Sequence, residues 1–225
     1  MDRKIVRVFE NMPALLEYRG IVKTSPEHTS REFISLTQSK GYYLIRGTKE
    51  PKGILADIYK SPIECVFIII SHDSKANSAT QDFLNLIANT GVLNATTFTE
   101  ITVITAERLS KKILTKMQAF EEPIIYVENH IFDRFTINLP LHQAIPVHKI
   151  MERSELAKLE GFICASSSGY QRILSSDPMS IWSGAKPGDV LKISRISDIS
   201  GLAEGYRTVS AEAIMDIPNG EEAED

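Results

Sequence analysis

Residues 64–71 are ECVFIIIS, and this stretch decides the fold class because every position from 65 to 70 is apolar. A run that is apolar at both odd and even positions offers no face to water, and it is typical of a central strand with helices packed on both sides. Two shorter stretches with strand character, residues 42–46 and 55–59, precede it between Pro, Gly and Ser residues. The sequence therefore predicts a sheet with residues 64–71 at its centre.

Helical patterns flank this strand in the sequence. Apolar residues recur at helical spacing over residues 5–16, although Pro13 should kink this helix or restart it. Thr24-Ser25-Pro26-Glu27 is interpreted as a capping box that starts a second helix, which Gly41 ends. Two further helices are predicted over residues 74–88 and 106–120, with short strands at residues 101–105 and 124–127.

The order strand, helix, strand, helix, strand is typical of a mixed sheet with right-handed crossovers. We therefore predict an α/β domain with a mixed sheet flanked by helices over residues 1–138. The segment LPLHQAIPVHKIM, residues 139–151, carries two prolines and is the predicted domain boundary. A small α+β domain over residues 139–211 follows, with strands predicted at 190–196 and 206–211. Residues 212–225 are acidic and are predicted to form a flexible tail.

Composition narrows the classes of function. A formal charge of -4 and a pI near 5.8 disfavour stand-alone binding to nucleic acid, which usually requires a surplus of Lys and Arg. The two cysteines, Cys65 and Cys164, form neither a metal-ligand spacing nor a disulfide framework, which favours a reducing intracellular compartment. The longest apolar run is far shorter than the roughly 20 residues that span a bilayer, so no membrane association is expected.

No motif for a catalytic centre, metal or cofactor is found. The five histidines never occur at i, i+4 with a third ligand nearby, and P-loop, G-x-G-x-x-G and G-x-S-x-G motifs are absent. A metal-dependent nuclease remains an alternative, with Asp57 and the triplet Glu64-Cys65-Val66 as candidate residues. That triplet lacks the lysine that would orient the attacking water. We therefore expect no cofactor and no catalytic residue.

Specific motifs begin at Asn138. The stretches NLPLHQAIPVHKIM, residues 138–151, and SSDPMSIWSGAKPGDVLKISRISDISGLAEGYRTV, residues 175–209, resemble the RNA polymerase subunit called H in archaea and the fifth subunit in eukaryotes. The matching features are His142, Pro146, His148, Ser176-Asp177-Pro178, Gly184, Lys186-Pro187-Gly188-Asp189-Val190, Lys192-Ile193, Arg195 and Tyr206-Arg207. The resemblance is tight over the last third of the chain. It is looser before it, where it rests on a helix ending Tyr18-Arg19-Gly20, the helix start at residues 24–27 and the alternation of strands and helices.

The resemblance implies a non-catalytic subunit of a DNA-directed RNA polymerase. The archaeal subunit lacks the N-terminal domain, so this chain is similar to the eukaryotic or large-DNA-virus branch, where that domain is part of the lower jaw beside downstream DNA. Family members commonly have Thr-Pro where this sequence has Thr105-Ala106, and such departures favour a viral homologue. Localisation in the nucleus, or in a viral factory and virion, follows from the resemblance.

Twelve residues are then expected to contact the largest polymerase subunit: His142, Pro146, His148, Asp177, Pro178, Gly184, Lys186, Gly188, Asp189, Arg195, Tyr206 and Arg207. Asp177-Pro178 is suited to start a helix, either as a cap alone or as a cap that also contacts a partner. By strand alternation Lys192 and Arg195 lie on opposite faces, and Arg195 is the residue we expect to form a partner ion pair. Trp182 is predicted to be a core residue rather than an interface hot spot.

Contact with DNA is expected to be peripheral at most. The helix after Thr105 has a basic face, so the possible DNA-proximal residues are Thr105, Ala106, Arg108, Lys111 and Lys112. A third reading of the chain is a transcription-regulatory adaptor that uses the C-terminal module without stable incorporation into a polymerase.

Overall fold

The apolar run ECVFIIIS lies at the centre of a five-stranded sheet, as predicted. In chain order its strands are β1 (Val22–Lys23), β2 (Tyr42–Lys49), β3 (Ile63–Ile70), β4 (Thr99–Thr105) and β5 (Ile125–Ile131). The first three strands are antiparallel and β3, β4 and β5 are parallel, so the sheet is mixed. The computed structural model describes residues 3–74, 80–91, 98–118, 125–163, 169–197 and 201–211.

Helices cover both faces of this sheet. The N-terminal helices are α1 (Arg3–Arg19), α2 (Ser30–Lys40), α3 (Leu55–Ile58), α4 (Thr80–Asn89) and α5 (Lys111–Gln118). Cys65, Phe67 and Ile69 of β3 share a core with α1 and α2. Val66 and Ile68, on the opposite face of the same strand, share a core with α4 and α5. Successive residues of a strand point to opposite faces, which is why β3 must be apolar throughout.

A second sheet of four strands follows. Its strands are β6 (Val147–Ile150), β7 (Gln171–Leu174), β8 (Val190–Ser197) and β9 (Gly201–Ser210), arranged in the order β6-β8-β9-β7. β7 is parallel to β9 and the other pairs are antiparallel, so this sheet is mixed as well. Helices α6 (Arg153–Ile163) and α7 (Pro178–Ser183) connect its strands. The predicted boundary segment contains a 3₁₀ helix, Leu139–Leu141, and all of β6.

The structure corrects two predictions about the N-terminal helices. Helix α1 does not restart at Pro13 but continues through it as one helix, because apolar residues on both sides of the proline, such as Val8 and Leu15, are buried in one core. The capping box of α2 is formed by Thr29 and Glu32, not by residues 24–27. Gly41 ends α2 in the left-handed conformation, as predicted, with φ 78°.

Two predicted boundaries also change. Residues 55–59 do not form a strand; residues 55–58 form the single helical turn α3, because Gly53 starts the turn with φ 56° and Tyr59 donates its amide to Leu55. Helix α5 begins at Lys111 rather than at residue 106, because the Ser110 hydroxyl accepts the Ile113 amide and caps the helix there. The predicted tail, residues 212–225, and Cys164 lie outside the described residues.

The position of the capping box can be tested with two matched substitutions. Thr29→Ala should lower the free energy of unfolding by about 1 kcal/mol, because the Thr29 hydroxyl satisfies the Glu32 amide at the start of α2. Thr24→Ala should change it by less than about 0.5 kcal/mol. Urea denaturation followed by circular dichroism measures both, and a larger loss for Thr24→Ala would contradict the observed helix start.

Candidate partner-binding surface

One face of the C-terminal sheet carries an open groove of ≈ 550 Å³. The pairing of β8 with β9 places Ile193 opposite Gly205 and Arg195 opposite Ala203. Because alternate residues of a strand share a face, Arg207 lies on this face too. The segment before β6 and the first turn of α7 form walls of the groove. It is therefore a surface with a narrow floor and raised sides.

Seven of the twelve predicted partner residues line this groove: Pro146, His148, Asp177, Pro178, Arg195, Tyr206 and Arg207. His142 is exposed and does not line it; its ring accepts the Ala144 amide at 3.3 Å. The other four, Gly184, Lys186, Gly188 and Asp189, lie where the C-terminal part meets the N-terminal part. The motif residues thus fall into one group on the groove and one group at an internal junction.

His148 is held at the edge of the C-terminal sheet by α1. The Tyr18 hydroxyl donates to the His148 carbonyl at 2.6 Å and accepts the His148 amide at 3.1 Å. Burial raises the pKa of this tyrosine above its ordinary value, although the hydrogen bond from the His148 amide counteracts the rise. Because Tyr18 occupies both backbone groups of His148 that point away from β8, the outer edge of β6 is closed to another strand there.

Asp177 and Pro178 start α7, as the sequence predicts. The Asp177 carboxylate accepts the Met179 amide at 2.8 Å, and Pro178 takes a first-turn position that needs no amide hydrogen. Gly184 ends the helix with φ 71°. A Cβ atom at Gly184 would lie 3.2 Å from Nε of Arg19, so this glycine lets the backbone approach the guanidinium closely.

A buried ionic cluster joins the two sheets, and it consists of Arg19, Lys49, Glu100, Glu128 and Lys186. Lys186 is only 7% exposed, and its Nζ lies 3.3 Å from Glu128 Oε2 and 3.9 Å from Glu100 Oε2. Lys49 is 2.8 Å from Glu100, and Arg19 is 3.4 Å from Glu128. Arg19 also donates to the Ile181 carbonyl of α7 at 2.6 Å. The side chain of Lys186 therefore has its ion-pair partners, Glu100 and Glu128, within this chain.

The charges of this cluster stabilise one another. Burial by itself would raise the pKa of Glu128, but Lys186, His130 and Arg19 outweigh it and hold that pKa well below its ordinary value. Burial likewise opposes ionisation of Glu100, and Lys186 with Lys49 lowers its pKa in spite of it. Both carboxyl groups are consequently ionised at neutral pH.

The turn after Lys186 is tied to the N-terminal part as well. Asp189 accepts the Ile54 amide through Oδ1 and the Lys186 amide through Oδ2, both at 2.8 Å. Burial raises the pKa of Asp189, and these two amides oppose the rise. Gly188 has φ 94°, and a Cβ there would come within 2.4 Å of Ile54 Cδ1. The turn is thus built to pack against residues 53–54.

Trp182 is a core residue, as predicted. It is fully buried, shares a core with α1, and donates from Nε1 to the Arg134 carbonyl at 2.9 Å. Lys192 and Arg195 lie on opposite faces of β8, as strand alternation predicts, and Lys192 pairs with Glu204 at 2.7 Å.

The five possible DNA-proximal residues divide into two sets. Thr105 is buried, donates to the Glu107 carbonyl at 2.7 Å and accepts from Asn129 at 3.1 Å. Ala106 packs against the core that contains α1 and α2. Arg108, Lys111 and Lys112 are exposed at the start of α5. Only the second set presents charge to solvent.

The candidate nuclease residues are not assembled. Asp57 lies on α3 and pairs with Arg153 at 2.6 Å, whereas Glu64 lies on β3 and pairs with Arg46 at 3.0 Å. Within the described ranges, no three His, Cys, Asp or Glu side chains are grouped as metal ligands. In the same residues, no helix combines the length and apolar character needed to cross a bilayer.

Sequence reasoning missed most of the residues that position the motifs. Tyr18, Arg19, Glu100 and Glu128 come from α1, β4 and β5, and nothing in their spacing links them to Lys186. Tyr18-Arg19-Gly20 is one signal that could have been followed, because the resemblance includes it. Among groove residues, Ile193 belonged to a matching motif but was not selected as a site residue.

The stability of the cluster can be tested through pH. Glu128→Gln should lower the free energy of unfolding at neutral pH by roughly 3 kcal/mol, because it leaves Lys186 and Arg19 buried without this carboxylate. The pKa of Glu128 is lowered in the folded state, so its contribution is complete above the ordinary value of 4.5 and is lost as pH falls through the folded-state pKa. The difference between wild type and variant should therefore shrink in acid.

Glu64→Gln provides a matched control, since the Arg46–Glu64 pair is about one-third exposed and should contribute less than about 1 kcal/mol. Urea titrations at several pH values measure both variants. Equal, small losses for the two would show that the cluster does not join the sheets.

Comparison with known proteins places the chain among polymerase subunits. The family described as RNA polymerase Rpb5, C-terminal domain, matches residues 137–209. A protein of African swine fever virus named DNA-directed RNA polymerase RPB5 homolog is 25% identical over 213 residues, which cover 92% of this chain and 98% of that relative. DNA-directed RNA polymerase subunit Rpo5 of Methanococcus maripaludis is 34% identical over 73 residues, 32% of this chain and 94% of the relative. Rpo5 of Thermococcus onnurineus is 38% identical over 78 residues, 35% of this chain and 89% of the relative.

The archaeal relatives match about a third of the chain and the viral relatives match most of it, in agreement with the resemblance drawn from the motifs. The relatives with these names are structural subunits without catalytic activity of their own, and the viral matches support an origin in a large DNA virus. The chain therefore belongs to the family of the RNA polymerase subunits Rpb5 and Rpo5 and is a non-catalytic subunit of a DNA-directed RNA polymerase.

Proposed function

We propose that the chain docks on the largest subunit of its polymerase through the groove of the C-terminal sheet, and that residues 1–138 form a jaw beside downstream double-stranded DNA. Residues 139–211 are the assembly domain in this proposal. The observation that carries it is the separation of the motif residues into two groups, one on an open groove and one at an internal junction.

The groove has the composition of a protein-binding surface. Its floor and walls include the apolar side chains of Leu139, Ile145 and Ile193, and charged residues such as Arg195 and Arg207 stand around them. Stable interfaces commonly combine an apolar centre with a polar rim, and Arg is enriched in them. The residues of the motif thus suit contact with a partner subunit better than contact with solvent.

The junction gives the groove a defined position. Lys186, Asp189 and Gly188 hold the C-terminal sheet against the N-terminal part, which supports a fixed position of the groove relative to the proposed jaw. Tyr18 closes the outer edge of β6 at His148. Docking by strand addition at that position is therefore excluded, which favours contact through the face of the sheet.

The jaw proposal rests on the exposed positive charge at the start of α5. Arg108, Lys111 and Lys112 can approach phosphates, whereas Thr105 and Ala106 are directed into the fold. With a formal charge of -4 on the whole chain, this contact is peripheral and depends on the polymerase to hold the DNA nearby. The chain would act where that polymerase acts, in the nucleus or in a viral factory, and would be packaged with it in the virion.

Two isoleucines of β8 test which face docks. Ile193→Asp should abolish recovery of the largest polymerase subunit with the tagged chain, because it places a charge on the groove floor. Ile196→Asp is the matched control on the opposite face, where Ile196 is 90% exposed. The measurement is affinity purification from the native source with stoichiometry by mass spectrometry, after thermal melting has shown that both variants are folded. Loss of the polymerase with Ile196→Asp alone would assign docking to the other face.

The jaw contact is tested with charge reversals on α5. Lys111→Glu combined with Lys112→Glu should leave assembly intact and should weaken binding of the assembled polymerase to downstream duplex DNA at low salt, by roughly tenfold for two lost phosphate contacts. The control combines Lys149→Glu with Lys158→Glu, which reverses two exposed charges of the C-terminal part. Fluorescence anisotropy at several salt concentrations measures the binding. Equal affinities for the two variants would overturn the jaw contact.

A further inference from the structure

We propose that the groove takes an extended acidic segment of the partner protein, with two carboxylates four residues apart and an apolar side chain midway between them. This inference rests on the proposed docking function and specifies the chemistry of the occupant. The features that define it are Arg195, Arg207 and the floor between them, Ile193 and Gly205.

The spacing of the two arginines sets the length of the segment. Arg195 stands opposite Ala203 and Arg207 stands opposite Leu191, so they are four residues apart along the β8–β9 ladder. Four residues of a strand extend about 13 Å. An extended peptide lying along the ladder therefore carries side chains i and i+4 at the two arginines, on the same face of the peptide.

The charge of the groove selects carboxylates. Arg195 and Arg207 are exposed, and no carboxylate within the described ranges lies at ion-pair distance from either. The two acidic residues that line the groove are already engaged: Asp177 accepts the Met179 amide, and Glu204 pairs with Lys192. Arg guanidinium groups bind carboxylates through two parallel hydrogen bonds, which gives each end of the segment a specific contact.

The floor between the arginines selects an apolar residue. Ile193 projects into the groove, and directly opposite it Gly205 contributes no side chain. A Cβ atom at Gly205 would meet nothing within 4 Å, so the space above this residue is open. The side chain at i+2 of the peptide enters this space and covers Ile193, which removes apolar surface from water.

A polypeptide fits these features better than a nucleic acid does. Phosphates could also pair with the two arginines, but protein surfaces that bind nucleic acids are polar and strongly basic, whereas this groove contains Leu139, Ile145 and Ile193. The formal charge of -4 further disfavours a nucleic acid as the occupant.

Peptide binding by the purified full-length chain tests the inference directly. The probe is a capped, fluorescent nine-residue peptide of threonines with Asp at its third and seventh positions and Leu at its fifth. Loss of either Asp, by replacement with Asn, should weaken binding roughly tenfold, because each replacement removes one charge-assisted pair. Replacing Leu with Ser should weaken it too. A peptide with the two Asp residues adjacent should bind no better than a peptide with a single Asp, because only one of them can reach an arginine.

Variants of the chain assign the contacts. Arg195→Gln and Arg207→Gln should each weaken binding of the acidic peptide roughly tenfold. For each variant, replacing the Asp that pairs with the lost arginine should then cause no further loss of affinity. Arg172→Gln is the matched control, because Arg172 is exposed on the other face of the sheet, and it should bind like wild type. Equal binding of the charged and uncharged peptides, or tighter binding of a single-stranded oligonucleotide than of the peptide, would overturn the inference.

The same variants separate this inference from the docking proposal. Arg195→Glu combined with Arg207→Glu should abolish recovery of the polymerase, as Ile193→Asp should. If Ile193→Asp abolishes recovery while the double arginine variant retains it, the groove docks a partner, but the proposal that the docked segment is acidic is wrong. If both variants retain the polymerase, the docking proposal itself fails.

Discussion

The buried ionic cluster of Arg19, Lys49, Glu100, Glu128 and Lys186 is the constraint on which the rest of the structure depends. Charged side chains that leave water lose a large hydration energy, and only partners at ion-pair distance compensate for it. Here three cations meet two carboxylates contributed by β4 and β5, and Lys186 reaches them from the C-terminal part. The cluster therefore holds the second sheet against the first.

The positions of α7 and of the groove follow from that arrangement. With Lys186 and Asp189 directed inward, α7 is fixed between Arg19 and the core that contains Trp182. Its first turn, capped by Asp177, then stands beside β8 and β9 and forms a wall of the groove. A polymerase subunit without catalytic residues needs a rigid way to present surfaces, and this packing would link the proposed docking groove to the proposed jaw.

A feature could be predicted from the sequence when the residues that determine it are close together along the chain. The apolar run of β3, the Asp177-Pro178 helix start and the glycine that ends α2 are local patterns, and all three predictions are confirmed. Two successive threonine-glutamate pairs, residues 24–27 and 29–32, have the spacing of a capping box, and the helix starts at the second pair. The partners of Lys186 lie more than fifty residues away, so its motif marked a constrained position without indicating whether it faces inward or outward.

The most direct test of this account is an electron cryo-microscopy reconstruction of the chain within its polymerase. We expect density for a partner segment in the groove between Arg195 and Arg207, with Lys186 still at ion-pair distance from Glu128. A groove that faces solvent in the assembled enzyme, or a Lys186 that has left Glu128 to bind another subunit, would contradict it.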